Sequence, residues 1–175
     1  MSPNQVHARV ESTYLVRQYQ PQDWNALWQL RKYQLAEEGI MIGAALPQKP
    51  DLSSPYEKDY HRIEHVYLAA RGNFWIAWKG VIPVGQIGAE DKSDYVELRR
   101  MYVRMEYRRC GIGALLVQSL IRHCLTQKVG FIELWTAENG VGRILYEKHG
   151  FRRIERAGES LDGSDQIRML LTLTD

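Results

Sequence analysis

A single α/β domain, with a mixed central sheet of about six to seven strands flanked by about four helices, is the fold class this sequence predicts. Three observations carry it. The 175 residues suffice for one well-buried core, and 45% hydrophobic with 25% charged residues is ordinary globular composition. Apolar periodicity alternates in the order β-α-α-β-β-β-α-β-α-β-β. Three consecutive strands after two helices do not fit a purely parallel, doubly wound sheet. Residues 1–12 are polar and aperiodic, and read as a flexible N-terminal tail. Residues 13–175 read as the domain, with no repeat or linker to divide it.

The elements follow in order. Thr13 to Tyr19 alternates as a strand does. Pro21 and Asp23 open a helix whose Trp24, Leu27, Trp28 and Leu35 share a face, and Gly39 ends it. Ile40 to Pro55, with three prolines, reads as a long loop. A second helix is expected over about 56–70. Phe74 to Trp78 and Val84 to Ala89 read as a hairpin through Gly80 to Pro83, and Tyr95 to Val103 as the third central strand. A helix from about Gly111 to Lys128 follows. Then come a strand (Phe131 to Thr136), a helix (Val141 to His149), a strand (Phe151 to Ala157), a polar loop (Gly158 to Ser164) and a closing strand (Ile167 to Leu173).

Composition also excludes. A net charge of +2 is too small to argue for nucleic acid. No apolar run reaches the ~18 residues of a membrane span, and the N-terminus lacks the apolar segment of a secretion signal. The expected location is the cytoplasm. Cys110 and Cys124 stand 14 apart without paired ligands nearby, so neither a disulfide framework nor a metal site is expected.

The chemistry concentrates at Val103-Arg104-Met105-Glu106-Tyr107-Arg108-Arg109-Cys110-Gly111-Ile112-Gly113-Ala114. A strand runs into an arginine-rich turn, two glycines and a helix. Ile112, Leu116, Leu120 and Cys124 give that helix an apolar stripe. Free amides and the macrodipole at a helix start favour an anion, glycines allow close backbone approach, and arginine suits bidentate phosphate contact. The same residues also suit a plain strand-to-helix turn. A dinucleotide site fits less well: its third glycine would fall at Leu116, and Glu133 lies inside a strand rather than at its end.

Arg108-x-x-Gly111-x-Gly113 resembles the Q/R-x-x-G-x-G/A motif of the GNAT superfamily of N-acetyltransferases, and Glu97 to Val103 is similar to that family's fourth strand. The resemblance runs from about Thr13 to the C-terminus. Met105 stands where many members have proline, and Cys110 where a basic residue is common. The resemblance implies that Arg108, Arg109, Cys110, Gly111, Ile112, Gly113 and Ala114 bind the pyrophosphate of acetyl-CoA. It implies a bulged fourth strand splayed from the fifth, where Met101, Tyr102 and Val103 border the pantetheine arm and the amides of Met101 and Val103 hold it. Broken alternation at Leu98 to Met101 agrees with a bulge, and equally with a strand covered on both faces.

A second segment, Asn139-Gly140-Val141-Gly142-Arg143-Ile144-Leu145-Tyr146-Glu147-Lys148-His149-Gly150-Phe151, resembles the family's N-x-x-A-x-x-L-Y-x-K-x-G-F. Asn139 can cap the helix and joins the cofactor-binding set, and Gly142 in place of alanine should loosen the helix by about 1 kcal/mol. Tyr146 is the candidate acid that protonates the departing thiolate, since phenols stay protonated at neutral pH. It also fits a core position on an amphipathic helix. Glu97 is the candidate base, through a water, and it equally suits a solvated strand carboxylate. His61, His65 and His149 are further bases in principle. The expected reaction is direct acetyl transfer to a primary amine through a tetrahedral intermediate, without metal. The amine, small molecule or peptide, is expected near Gly39 to Ser54 and Gly158 to Ser164, where Asp51, Glu159 and Asp162 could attract a cation. A non-catalytic acyl-CoA sensor or partner-binding module is the alternative, and a homodimer through sheet edges is possible.

Overall fold

The computed structural model describes residues 14–40, 49–155 and 166–173. Strand β1 (Tyr14–Gln18) leads through a proline-headed 3-10 turn (Pro21–Asp23) into helix α1 (Trp24–Glu37). The Asp23 carboxylate accepts from the Gln20 N–H at 2.8 Å and fixes that entry. The hairpin is tighter than its sequence suggests. β2 (Asn73–Lys79) and β3 (Ile82–Asp91) leave Gly80 and Val81 as the turn, with Gly80 at φ +58°. Pro83 falls where the β2–β3 register shifts, a position that does not require its missing N–H. β4 (Val96–Val103), α3 (Ile112–Thr126), β5 (Phe131–Ala137), α4 (Val141–Lys148), β6 (Arg152–Ile154) and β7 (Gln166–Thr172) follow.

The helix expected over 56–70 is a correction. Only a 3-10 turn (Tyr60–Arg62) and the single-turn α2 (Ile63–Val66) form there. Tyr60, Ile63 and Tyr67 are buried at helical spacing, which produced the pattern. Glu57 at φ +50° and Ala70 at φ +49° break the helix at both ends. The tail 1–12, residues 41–48 of the long loop, and Gly158 to Ser164 with Glu159 and Asp162 lie outside the described residues, as do residues 156–157 of the strand expected to run to Ala157.

The described strands form one seven-stranded sheet in the order β1-β2-β3-β4-β5-β7-β6. Every neighbouring pair is antiparallel except β4–β5. That parallel pair needs the crossover supplied by α3. One core lies on the α3–α4 face, where Ile112, Leu116 and Leu120 are almost fully buried against Val84, Ile87, Ile132 and Leu134. Each such side chain contributes about 1.5–3 kcal/mol. The other lies on the α1 face around Leu27, Leu30, Tyr60, Tyr67 and Phe74.

Candidate active site

The two parallel strands pair only at Val96/Ile132, Glu97/Glu133 and Leu98/Leu134. Beyond these, β4 runs on to Val103 and β5 to Ala137, so their facing edges part. The parting coincides with an irregularity on the other side of β4. Gln86 opposes Tyr102 and Gly88 opposes Arg99, so Arg100 and Met101 together oppose Ile87. This is a bulge, and Arg100 takes the left-handed conformation at φ +56°. It moves side-chain alternation by one residue. Val96 and Leu98 face the α3 core before it, Met101 and Val103 face that core after it, and Tyr102 turns to the α1 side.

After β4 the chain makes a 3-10 turn (Met105–Tyr107), then places Arg109 at φ +61° and Gly111 at φ +82° before α3 starts at Ile112. The first helical amide with a protein acceptor is Leu115, bonded to the Gly111 carbonyl at 3.1 Å. Among the described residues the amides of Arg109, Cys110, Gly111, Ile112, Gly113 and Ala114 donate to no protein group. A run of free amides at the start of a 15-residue helix is what an anion requires. Gly111 owes its identity to φ, since nothing lies within 4 Å of a Cβ built there. Gly113 owes its identity to packing, since its Cβ would sit 3.1 Å from Leu145 Cδ2 and 3.4 Å from Met101 Cε. The helix start, the bulge and α4 therefore converge on one point.

The two arginines divide. Arg108 turns back on the fold: its Nε donates to the Val103 carbonyl at 2.9 Å and its Nη2 to Glu37 at the end of α1. Arg109 is exposed, with no partner among the described residues. Met105, in place of the commoner proline, has an N–H, and that N–H donates to Glu37 Oε1 at 3.3 Å. Tyr102 donates to the same oxygen at 2.7 Å. Glu37 thus ties β4, the turn and α1 together, a role no local pattern announced. Cys110 is exposed and Cys124 buried, both as free thiols.

On α4, Tyr146 is buried, edge-on to Phe151 at 5.8 Å. Burial raises its hydroxyl pKa well above the usual tyrosine value, so it stays protonated. That hydroxyl makes no hydrogen bond among the described residues, which leaves a donor in hand. Gly142 lies one turn before it, and a Cβ there would come within 3.3 Å of Thr136 Oγ1 and 3.4 Å of Tyr146 Cε2. The glycine lets α4 approach β5. Asn139 does not cap the helix: Gly140 occupies the N-cap position and no side chain caps it. Asn139 is exposed in the preceding turn.

Glu97 occupies the closed end of the split, opposite Glu90 on β3 and Glu133 on β5. Its carboxylate lies 3.4 Å from Lys92 Nζ and keeps a fifth of its side-chain area exposed. Glu133 is buried and paired with Arg168 of β7. Two of the three candidate histidines are committed elsewhere. His61 Nδ1 accepts the Asp51 N–H at 2.8 Å while its ring packs against both Trp24 and Trp28. His149 bonds the Leu145 carbonyl, and His65 is exposed on α2.

A sheet split between two parallel strands, with free helical amides beside the split, defines the acyl-CoA N-acyltransferase fold. A family model described as an acetyltransferase (GNAT) domain matches residues 70–153. The chain is 28% identical over 127 residues to a probable N-acetyltransferase family 8 member 5 of Mus musculus, covering 69% of this chain and 56% of that one. It is 34% identical over 108 residues to an N-acetylaspartate synthetase of Danio rerio, covering 59% and 37%. It therefore spans about half or less of these curated relatives. Among solved structures, a GNAT-family acetyltransferase of Staphylococcus aureus Mu50 superposes with a TM-score of 0.75 at 25% identity, covering 93% of this chain and all of that one. The PaiA N-acetyltransferase of Thermoplasma acidophilum, in complex with coenzyme A, superposes at 0.61 with 20% identity, covering 91% and 99%. Residues 70–153 match the GNAT acetyltransferase domain, and the described fold is that of GNAT-family acetyltransferases.

Proposed function

We propose that this chain is an N-acetyltransferase that takes acetyl-CoA and transfers its acetyl group directly to a primary amine of a small molecule or peptide. The observation that carries the reading is the convergence at Gly113. Leu145 Cδ2 of α4 and Met101 Cε of the bulged strand lie 3.1 and 3.4 Å from where a Cβ on Gly113 would sit, within the helix start whose amides are free, and Tyr146 is next in sequence to Leu145.

In this reading the amides of Arg109 to Ala114 and the Arg109 side chain hold the diphosphate, and Arg108 keeps the turn in place through Val103 and Glu37. The pantetheine arm lies along β4 beyond Leu98, against the backbone of Met101 and Val103, with Tyr102 anchored behind them and Asn139 at the far rim. A lysine-like amine is roughly 1 part in 10³ neutral at pH 7, so attack needs a base. Glu97 takes that proton through a water, on the α1 side of the sheet. The attacking nitrogen forms the C–N bond, the tetrahedral centre collapses with loss of the C–S bond, and Tyr146 delivers a proton to the leaving sulfur. The relatives named as a probable N-acetyltransferase and an N-acetylaspartate synthetase support the class, and no feature among the described residues selects one amine.

The test is thiol release from acetyl-CoA across a panel of primary amines, with the acetylated product identified by mass. Amine-dependent release is expected. Tight coenzyme A binding without turnover on any amine would replace the enzyme with an acyl-CoA sensor, and no binding would end both readings. Gly111→Ala is expected to weaken coenzyme A about three- to tenfold, because a left-handed residue with a Cβ costs roughly 1 kcal/mol. Calorimetric titration reads this directly, and an unchanged Kd would mean that the turn does not hold the diphosphate.

A further inference from the structure

The β4 bulge places a non-glycine residue, Arg100, at φ +56°, which costs about 1–2 kcal/mol and persists only where surrounding structure overdetermines it. Four contacts do so, one of them an ion pair from Arg100 Nη2 to Glu57 Oε2 at 3.1 Å. The Arg100 guanidinium forms a bidentate pair with Asp59, Nε to Oδ2 at 2.7 Å and Nη2 to Oδ1 at 2.6 Å. The same guanidinium lies over the Tyr60 ring, 4.4 Å from its centroid. The Arg100 carbonyl, at a point where the ladder is disrupted, accepts from Gln86 Nε2 at 3.2 Å. Gln86 is fully buried on β3 and also bonds the Tyr60 hydroxyl.

Asp59 is equally committed. It accepts the Tyr67 hydroxyl at 2.7 Å. Burial alone would raise its pKa, but the hydrogen bonds from Arg100 and Tyr67 hold it down at about 2, so it is a carboxylate throughout the physiological range. The groups meeting Arg100 come from the 57–67 segment and from β3, on the sheet face opposite α3. Among the described residues no hydrogen bond, ion pair or ring contact joins Asp59, Gln86 or Arg100 to the turn or to Tyr146.

We propose that Asp59, Gln86 and Arg100 are positioning residues that hold the β4 bulge, and through it the backbone register of Met101 and Val103 that receives the pantetheine arm. This inference rests on the acetyl-CoA reading above. The bulge shifts β4 alternation by one, so its loss would return β4 toward a regular ladder and move Met101 and Val103 off the α3 side. A strand that fluctuates between the two registers binds the arm more weakly while the diphosphate site, on the next element, is kept.

The experiment compares two ligands that share the nucleotide: coenzyme A, and adenosine 3′-phosphate 5′-diphosphate, which lacks the pantetheine arm. Both are titrated calorimetrically into the wild-type chain, Gln86→Leu, and Asp59→Asn/Arg100→Gly. The double variant suits folding, since glycine is at ease at φ +56°, asparagine removes the Asp59 charge with that of Arg100, and Glu57 keeps its pair with Arg31 at 2.6 Å. Gln86→Leu removes one donor while keeping apolar volume. The affinity advantage of coenzyme A over the nucleotide is expected to shrink about fivefold in Gln86→Leu and about tenfold or more in the double variant, with nucleotide affinity within about twofold of wild type. Equal weakening of both ligands, as general destabilisation would cause, overturns the proposal, and so does an unchanged advantage. A wild-type chain with no affinity for coenzyme A would instead remove the acetyl-CoA reading, and this one with it.

Discussion

Tyr146→Phe is expected to lower kcat for acetyl transfer by about 10²- to 10³-fold, within the range for loss of a positioned acid. KM for acetyl-CoA should change little, because the hydroxyl acts when charge develops on sulfur rather than in the ground state. Three facts make the substitution clean. The ring is buried and its edge-on contact with Phe151, 5.8 Å between centroids at 63°, survives in phenylalanine. The hydroxyl pairs with no described group, so removing it orphans no donor or acceptor, and a thermal melt should move by a degree or two at most. Finally, burial holds the phenol protonated above its usual pKa of 10.0, so the wild-type rate should not fall on its account as pH rises through that value. Steady-state thiol release on wild type and variant decides it. A phenylalanine enzyme with undiminished kcat would mean that the sulfur leaves as a thiolate unaided, and Tyr146 would revert to a core residue.

Much of this arrangement was legible in the chain because its signals are local. The strand–turn–helix around Gly111, the apolar stripe of α3 and the N-x-x-G-x-x-L-Y run of α4 each span fewer than twenty residues, and periodicity and glycine placement report on such distances. The bulge in β4 left a local trace too, as broken alternation at Leu98 to Met101, although a doubly covered strand would read alike. What was not legible depends on pairing across the fold. Arg108 looked like a phosphate ligand by its position in the motif, yet its guanidinium reaches Glu37, 71 residues earlier. Arg100 shows no local sign of a partner, yet it pairs with Asp59, 41 residues earlier. Asp59 sat in a stretch whose buried Tyr60, Ile63 and Tyr67 mimic a helix, and the left-handed Glu57 and Ala70 that prevent one have no residue preference to betray them. The sequence offers Asn139 as the N-cap of α4, one position before the Gly140 that takes it, because asparagine and glycine both favour an N-cap and only backbone dihedrals separate them.

The largest stability effect should come from the other side of the split. Glu133, on β5 directly beside Glu97 of β4, is 1% exposed and pairs with Arg168 of β7, 8% exposed, whose guanidinium also lies 5.2 Å from the Trp135 ring centroid. Arg168→Met keeps an apolar stem against that ring but takes the cation from a buried carboxylate. Breaking a buried pair from one side costs about 3–5 kcal/mol. For a domain of this size, 1 kcal/mol corresponds to about 2–4 °C, so the melting temperature should fall by roughly 6–20 °C. The double change Glu133→Leu/Arg168→Met removes both charges and should recover most of the loss, since a buried pair is often no more stabilising than packed apolar groups of similar volume. If the single variant melts like wild type, Glu133 does not depend on this partner. If the double variant is stable yet slow in acetyl transfer, the pair is kept for where it sets β5 and the exposed Trp135 at the open edge, not for the energy it adds to folding.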